Sequence, residues 1–315
     1  MSMVIDQAPH SLLMVRPLSF SHNSETAASN RFQQSAIGNA SAIHEQALLE
    51  FDRMVTLLQA HEIDVIVFED TAEPVKPDAI FPNNWISLHE DGRVVLYPMM
   101  AENRRAERRA DIVERLKSEF EVKEVFDFSD DEKQGRFLEG TGSLVFDYVN
   151  RVAYAARSPR TDEDLARQLC EHLGYRLVAF DSADEQGNAI YHTNVVMCVG
   201  SKVAVVCLDA IHSDADQDAV LESFAATGHR VVAISYPQLR SFAGNMMEVK
   251  SMTGERFILL SRRAFESLVP GQINALSRDT ELLPISVETI ETYSGGSVRC
   301  MVAGIYLPTR AGLRQ

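Results

Sequence analysis

The stretch Leu-Glu-Gly-Thr-Gly-Ser-Leu-Val-Phe at residues 138–146 places an acidic residue, Glu139, directly before a glycine-containing turn and an apolar strand. On either side of it, polar residues head comparable apolar segments at intervals of 53 to 55 residues. These five markers are Asn84, Glu139, His192, Asn245 and Cys300. A fixed period with a repeated local pattern indicates stacked or ring-closed modules. The sequence therefore predicts a five-fold repeat that brings an acid, an imidazole, a thiol and two amides into one pocket.

Four of the modules share one order of elements: an apolar strand, a tight turn, a second strand, an amphipathic helix and a third strand. In the first module, a turn at Glu90-Asp91-Gly92 joins two apolar runs, which is a strong hairpin signal. A helix is predicted next, at 106–120. In the second module, Thr161 with Asp164 three residues later predicts the start of a helix. In the third module a strand is predicted at 194–199. Two further helices are predicted, after Ser213 and after Ser261. This alternation indicates the α/β class.

The fifth module is split between the two ends of the sequence. Strand-like segments at 12–15 and 65–68 and a helix-like segment at 43–59 lie near the N-terminus, and 298–306 supplies the remaining strand. We therefore expect a single domain over residues 1–315, in which the N-terminal segment completes the last module.

The composition argues against several classes of function. The chain has 315 residues, 45% of them hydrophobic, so it can bury a large core. Its net charge of −15 argues against nucleic-acid binding, which depends on a basic surface. No apolar stretch is long enough to predict a membrane span, and no secretory segment is recognisable. The four cysteines form no CxxC pair and no metal-ligand spacing, so we expect a cytoplasmic protein.

Cys300 is the cysteine with a candidate chemical role. It follows Gly295 and Gly296, which let the backbone approach a ligand closely. A thiol nucleophile needs a base beside it and a group that orients the base, and His192 and Glu139 stand in register to fill those roles. The alternative for Cys300 is a buried thiol that acts as a small hydrophobe, as we expect for the other three cysteines, Cys170, Cys198 and Cys207.

The chain resembles the guanidino-group modifying superfamily, the pentein or five-bladed α/β-propeller enzymes, which include arginine deiminase, dimethylarginine dimethylaminohydrolase and the glycine amidinotransferases. The segments that carry the resemblance are Asp-Ala-Ile-Phe-Pro-Asn-Asn-Trp at 78–85, Leu-Glu-Gly-Thr-Gly at 138–142, Ser-Pro-Arg-Thr at 158–161, His-Thr-Asn at 192–194 and Gly-Ser-Val-Arg-Cys at 296–300. Three more segments, at 14–17, 23–26 and 242–247, resemble the citrulline hydrolase branch more narrowly.

The resemblance implies a five-bladed propeller and a role for each matching residue. Cys300 would be the nucleophile, His192 the general acid/base and Glu139 the carboxylate that orients the imidazole. Arg104 and Arg160 match arginines that hold the substrate carboxylate. Arg104 is also predicted to stand in the first turn of a helix, where a cation opposes the helix dipole unless it binds an anion. Neither a metal nor an organic cofactor is implied.

Two asparagines favour a ureido substrate over a guanidino one. Asn84 and Asn194 stand where arginine-directed relatives carry carboxylates, and a neutral ureido group matches an amide better than a carboxylate. The expected reaction is hydrolysis of citrulline to ornithine, ammonia and carbon dioxide, within arginine metabolism. Further substrate contacts are expected from Asp78, Asn83 and Asn245.

Several alternatives stay open. The nearest is an arginine-directed hydrolase such as an arginine deiminase or a dimethylargininase, and an amidinotransferase would use the same thiol. An inactive binding or scaffold protein is the alternative from another class. The segment at 18–33 is either a lid over the site or a plain surface loop. The expected partner is a small amino-acid substrate rather than nucleic acid or a membrane, and the sequence is compatible with a homo-oligomer.

Overall fold

Residues 5–9, 11–34 and 39–310 are described by this computed structural model, and within them fifteen strands form four sheets. In chain order the strands are β1 (Ser11–Arg16), β2 (Asp64–Glu69), β3 (Ile86–Leu88), β4 (Arg93–Leu96), β5 (Glu124–Asp127), β6 (Leu144–Asp147), β7 (Val152–Arg157), β8 (Arg176–Asp181), β9 (Met197–Val199), β10 (Val203–Val206), β11 (Arg230–Ala233), β12 (Met247–Lys250), β13 (Arg256–Ser261), β14 (Glu281–Ile285) and β15 (Ala303–Ile305).

The same three-stranded unit occurs five times. Its first strand pairs antiparallel with the second, and the second pairs parallel with the third. Four units follow chain order: β3–β4–β5, β6–β7–β8, β9–β10–β11 and β12–β13–β14. The fifth is β15–β1–β2, so strands from the two ends of the sequence pair as the split module predicts. A parallel contact of Ile305 with Leu88 joins this unit to the first, which gives one six-stranded sheet.

Helices connect the parallel strands of each unit, as parallel pairing requires. The helices of the described residues are α1 (Ser24–Ala27), α2 (Ala40–Ala60), α3 (Glu102–Arg105), α4 (Ala110–Glu119), α5 (Gly140–Ser143), α6 (Glu163–Leu173), α7 (Thr193–Val196), α8 (Asp214–Thr227), α9 (Tyr236–Arg240), α10 (Arg262–Ser267), α11 (Pro270–Leu276) and α12 (Glu288–Ser294). Four 3₁₀ turns lie at Pro82–Asn84, Ser129–Gln134, Leu208–Ala210 and Val298–Met301.

Three local predictions need correction. The helix predicted at 106–120 begins only at Ala110, because Arg109 before it has an extended backbone. The cap of α6 is Asp162 rather than Thr161, since the Asp162 carboxylate accepts the Leu165 amide hydrogen. Asn194, predicted in a strand, lies in the short helical turn α7. The helices predicted after Ser213 and Ser261 are confirmed, and both serines cap them.

The marker residues lie in short turns that contact one another in succession. The turn Pro82–Asn84 packs against α5 and against the turn Val298–Met301, and α5 packs against α7. Asn245 completes the series, because its side chain donates to the Asn194 carbonyl and accepts from the Arg299 amide. The five predicted markers are therefore neighbours in space. Around them the sheets are buried, and Trp85, Tyr97 and Tyr154 are among the largest side chains of the core.

No helix in the described part of the chain is both long enough and apolar enough to cross a membrane.

Candidate active site

A small cavity opens where the marker turns meet. Six residues singled out in the sequence line it: Asp78, Asn84, Arg104, Arg160, His192 and Cys300. Most of its polar side chains are buried, so charges in it interact through little water. Residues that the sequence repeat picks out therefore lie together around this cavity.

His192 and Glu139 form a buried pair. The His192 Nε2 atom lies 2.8 Å from Glu139 Oε2. Burial raises the pKa of Glu139, but Arg160, the hydrogen bond with His192 and Arg104 outweigh it and hold this pKa well below its usual range. Burial lowers the pKa of His192 to about 4 in spite of Glu139. The pair is thus a neutral imidazole fixed by an ionised carboxylate, with Nδ1 as the nitrogen left for proton transfer.

Cys300 lies in the turn Val298–Met301 and is 3% exposed. Two amide groups point at its sulfur: Asn245 Nδ2 at 3.4 Å and Asn194 Nδ2 at 3.6 Å. Donors in this position stabilise negative charge on sulfur, which nucleophilic attack requires.

Three predicted substrate contacts do not line this cavity. Asn194 and Asn245 touch the sulfur, and Asn194 borders a second cavity together with Gln7 and Arg299. Asn83 is fully buried, and both polar atoms of its side chain lack a hydrogen-bond partner among the described residues. The structure therefore favours support of the thiol over direct substrate contact for Asn194 and Asn245.

Arg104 is held by partners within the protein. Its guanidinium forms two 2.9 Å hydrogen bonds with Glu107, and its Nη1 donates to Asn84 Oδ1 at 3.1 Å. The expectation that it opposes a helix dipole is wrong, because α3 ends at Arg105 and Arg104 lies at the C-terminal end, where a cation is favoured. Burial raises the pKa of Glu107 to about 7, with Asp78 and Glu139 adding to the rise and Arg104 opposing it.

Arg160 connects Glu139 to the segment at residues 20–34, which lies over the cavity. Its guanidinium donates to Ser29 Oγ and to the Thr26 carbonyl, and Nη1 lies 3.4 Å from Glu139 Oε2. Its guanidinium carbon also lies over the Tyr191 ring, 5.0 Å from the centroid.

Asp78 lines the cavity, and one of its carboxylate oxygens lacks a hydrogen-bond partner among the described residues. Oδ2 accepts from Asn23 at 2.7 Å, whereas Oδ1 has no hydrogen-bond partner among the described residues. Burial raises the pKa of Asp78, although Arg104 and Asn23 lower it. A ligand that donates hydrogen bonds would satisfy this oxygen.

Five lining residues were not predicted individually: Thr26, Asn30, Phe81, Tyr191 and Ser294. The first two belong to the cover segment, residues 20–34, which includes most of the predicted lid. Asn30 donates to the Ser294 carbonyl, and the Gln34 amide donates to the Thr292 carbonyl. The cover segment thus packs over the cavity, while its closing movement stays a prediction. Phe81 lies within the motif at 78–85 and Tyr191 adjoins the motif at 192–194, which is the signal that could have found them.

In the parts of the chain that the structure describes, no group of three or more His, Cys, Asp or Glu side chains is arranged to hold a metal ion.

Comparisons with solved structures support the fold. The chain is 15% identical to ArgZ, an arginine dihydrolase from the ornithine-ammonia cycle in cyanobacteria, with a TM-score of 0.72 over 96% of this chain and 42% of that one. The chain thus spans less than half the length of ArgZ. Against the N-terminal domain of ArgZ bound to substrate, identity is 17% and the TM-score 0.72, over 95% and 98% of the two chains. Against a dimethylarginine dimethylaminohydrolase adduct with S-methyl-L-thiocitrulline, the sequence identity is 14% and the TM-score is 0.61. The match covers 93% of this chain and 98% of that one.

A comparison with curated protein sequences finds no match. The sequence model for N,N dimethylarginine dimethylhydrolase, eukaryotic, matches residues 16–307, which is most of the chain. The mixed α/β fold and this match agree with the motifs around Glu139, His192 and Cys300. The chain belongs to the N,N dimethylarginine dimethylhydrolase family, within the pentein superfamily of amidinotransferase-like proteins.

Proposed function

We propose that this protein is a cysteine-dependent hydrolase that acts on the guanidino group of arginine or of an N-methylated arginine. The observation that carries the proposal is the Oδ1 atom of Asp78, which has no hydrogen-bond partner among the described residues and belongs to the carboxylate that lines the cavity. The relatives are described as an arginine dihydrolase and a dimethylarginine dimethylaminohydrolase, which supports the same substrate class.

The charges around the cavity favour a cation. Three buried carboxyl groups, Asp78, Glu107 and Glu139, are close to two arginines, Arg104 and Arg160, so the fully ionised set carries one excess negative charge. The raised pKa values of Asp78 and Glu107 reflect burial and this crowding. A guanidinium would neutralise the excess and donate to Asp78, whereas a neutral ureido group would not supply the charge.

The proposed reaction has two steps. His192 takes the proton of the Cys300 thiol, and the sulfur attacks the guanidino carbon. The C–N bond to the leaving amine then breaks as His192 passes that proton to the leaving nitrogen. Water then attacks the same carbon while His192 accepts its proton. The carbon–sulfur bond breaks and the thiolate returns, which leaves a ureido product and a free amine. Glu139 holds the imidazole in place for these proton transfers.

Asn84 keeps citrulline as a second candidate substrate. Its Oδ1 accepts from Arg104, and its Nδ2 has no partner among the described residues. A free donor beside the cavity fits a carbonyl oxygen, or the oxyanion formed from it, better than a guanidinium. Asn194, the other basis for the citrulline prediction, lies against the sulfur. Arginine therefore takes precedence, and the citrulline hydrolase branch stays a prediction.

Arg160 is the proposed partner of the substrate carboxylate. It reaches the cavity, and its bonds to Ser29 and the Thr26 carbonyl are to neutral acceptors. A carboxylate would replace them with charge-assisted bonds.

The five three-stranded units and the successive contacts of their marker turns support a five-bladed propeller arranged as one domain. In it the β15–β1–β2 unit would be the blade completed by the N-terminal segment.

The test is incubation with arginine, Nω,Nω-dimethylarginine and citrulline in separate reactions, with ammonia, dimethylamine, citrulline and ornithine measured by mass spectrometry. We expect amine release from a guanidino substrate by the wild type and none by Cys300→Ala. Cys170→Ala is the matched control, since Cys170 is buried in α6 outside the site.

Turnover of citrulline alone would reverse the choice of substrate. Products that form only when a second amine is added would indicate amidino transfer. Activity that survives in Cys300→Ala would refute the mechanism, and intact substrates in every reaction would favour a binding protein.

A further inference from the structure

Glu291 is a buried acid next to the nucleophile that the proposed reaction does not use. It lies in α12, which leads into the Gly295–Gly296 approach to Cys300, and it is 1% exposed. It forms no salt bridge with any described residue. A buried carboxylate without an ion-pair partner destabilises a fold, so its presence beside a reactive turn points to function.

The carboxylate holds the residue that starts the turn of the nucleophile. Ser297 donates from its hydroxyl to Glu291 Oε1 at 2.6 Å. The carbonyl of the same serine accepts the Cys300 amide hydrogen at 2.9 Å. Glu291 and Cys300 are thus connected through one fully buried residue.

The hydroxyl of Ser297 does not cap the helical turn that follows it. Serine in the position before a helical turn commonly accepts from an amide of that turn, but Ser297 makes no such cap. One amide of the turn, that of Arg299, is instead bound by Asn245 Oδ1. Ser297 fixes the start of the turn and Asn245 its middle, and Asn245 also contacts the sulfur.

We propose that Glu291 is a positioning residue for Cys300, acting through Ser297 to hold the turn so that the thiol faces His192 and the substrate carbon. The inference rests on the proposed function of Cys300 as a nucleophile. It names a residue for which neither the repeat nor the motifs provide a role.

The environment of Glu291 adds a pH signature. Burial raises the pKa of Glu291 to about 7, and Glu288 on the same helix adds to the rise. The hydroxyls of Ser261 and Ser297 and the guanidinium of Arg263 on α10 lower this pKa but do not cancel the rise. From α2, Glu50 binds the Thr289 and Ile290 amides at the start of α12. An ionised carboxylate accepts from Ser297 more strongly than a protonated one, so the hold on Cys300 strengthens as Glu291 ionises.

The test compares wild type, Glu291→Gln, Ser297→Ala and the double variant. Alkylation of Cys300 by iodoacetamide is followed by peptide mass spectrometry from about pH 5 to 9, a range that spans ionisation of a carboxyl of pKa about 7 and of a thiol. We expect slower alkylation in each single variant and a wild-type ionisation near pH 7 that is missing in Glu291→Gln. Because both residues act through one link, the double variant should be no slower than the slower single variant.

Kinetics provide the second readout. We expect Glu291→Gln to lower kcat by about 10- to 100-fold and to change KM by less than about twofold, because Glu291 does not touch the cavity. Glu266→Gln, an exposed change on α10, is the control and should match the wild type in alkylation rate and kcat.

Wild-type alkylation rates and pH dependence in Glu291→Gln, or additive effects in the double variant, would overturn the inference. If Glu291→Gln does not fold, the test rests on Ser297→Ala alone. A Cys300 alkylation rate in Ser297→Ala equal to that of the wild type would then overturn the inference. If Cys300 is alkylated but arginine, dimethylarginine and citrulline stay intact, the proposed function fails, and the alkylation comparison still tests the role of Glu291.

Discussion

Gly142 is where the backbone comes closest to the proposed base. A Cβ atom added to it would stand 2.6 Å from both Asn84 Nδ2 and His192 Nδ1. These distances are too short for any carbon, so the glycine of the 138–146 stretch is required by its neighbours. The imidazole and the amide pack directly on the bare backbone of α5.

We predict that Gly142→Ala displaces His192 or Asn84 and lowers kcat/KM by about 100-fold, the cost typical of a misplaced catalytic group. Gly271→Ala is the control, because a Cβ there meets no atom within 4 Å. It should keep full activity and gain about 0.5–1 kcal/mol in free energy of unfolding. Steady-state kinetics and thermal unfolding measure both. Full activity in Gly142→Ala would show that the base tolerates movement.

The neutral state of His192 sets the acid limit of the reaction. Because burial lowers its pKa to about 4, the imidazole stays unprotonated well below its ordinary pKa. We predict that kcat/KM for Glu291→Gln falls only as the pH approaches about 4 to 5, whereas the wild type loses activity from near pH 7. A common limit near pH 6.5 in both proteins would contradict both assignments.

At the scale of elements, α6 shows how a cap is chosen. Both Thr161 and Asp162 are residues that cap helices, and the sequence pattern favours Thr161. In the structure the Thr161 backbone pairs with Leu138 and Ser158, which leaves Asp162 to accept the Leu165 amide hydrogen. The helix start therefore depends on an isolated backbone contact with Leu138, which lies well before it in the sequence.

We predict that Asp162→Ala costs about 1 kcal/mol in free energy of unfolding, through loss of this cap. For a chain of this size that corresponds to a fall on the order of 2 °C in Tm. Asp162→Asn should stay close to the wild type, since asparagine caps equally well. Calorimetry of the three proteins decides, and equal losses in both variants would mean that the pairing with Arg136 matters more than the cap.

The elements that the sequence predicts well carry local signals. Strands with continuous apolar residues, and helices capped by Ser213 and Ser261, are confirmed. The short turns α5 and α7 were not predicted, because four residues are too few for a helical period to show. In the site, Glu139, His192 and Cys300 were found by their register in the repeat. Glu107, Thr26 and Asn30 lie outside that register, so only three-dimensional contacts reveal them.

At the scale of the whole molecule, the buried acids and the buried histidines change the free energy of unfolding in opposite directions as the pH changes. Glu107 and Glu291 have raised pKa values near 7, so the stability they contribute is present at acid pH and is lost as the pH rises through about 7. His89 and His192 have pKa values lowered to about 4, so their contribution is lost as the pH falls below 6.5. Because the acids lose their contribution between about pH 4.5 and 7 and the histidines lose theirs between about pH 6.5 and 4, the fold should be most stable from about pH 4.5 to 6.5.

We predict that Glu291→Gln is more stable than the wild type at pH values above about 7, by on the order of 2 kcal/mol, because the variant cannot ionise. Near pH 5, where the folded wild type keeps Glu291 protonated, the difference should largely disappear. Chemical denaturation at the two pH values measures it. A variant that is less stable than the wild type above pH 7 would show that interactions within the fold compensate for burial of the ionised carboxylate. The expected result would mean that stability is sacrificed for reactivity at this position.

The pairing of Ser11 with Ile305 has a consequence for biosynthesis. During translation, β1 and β2 emerge early, but the strand that joins them to the first unit emerges nearly three hundred residues later, together with the Cys300 turn. Contacts so distant in sequence form slowly, because a very long loop must close. A nascent chain on the ribosome can thus assemble Glu139 and His192 while it still lacks the thiol. The proposed nucleophile is therefore completed only when the sheet that contains β15 can close.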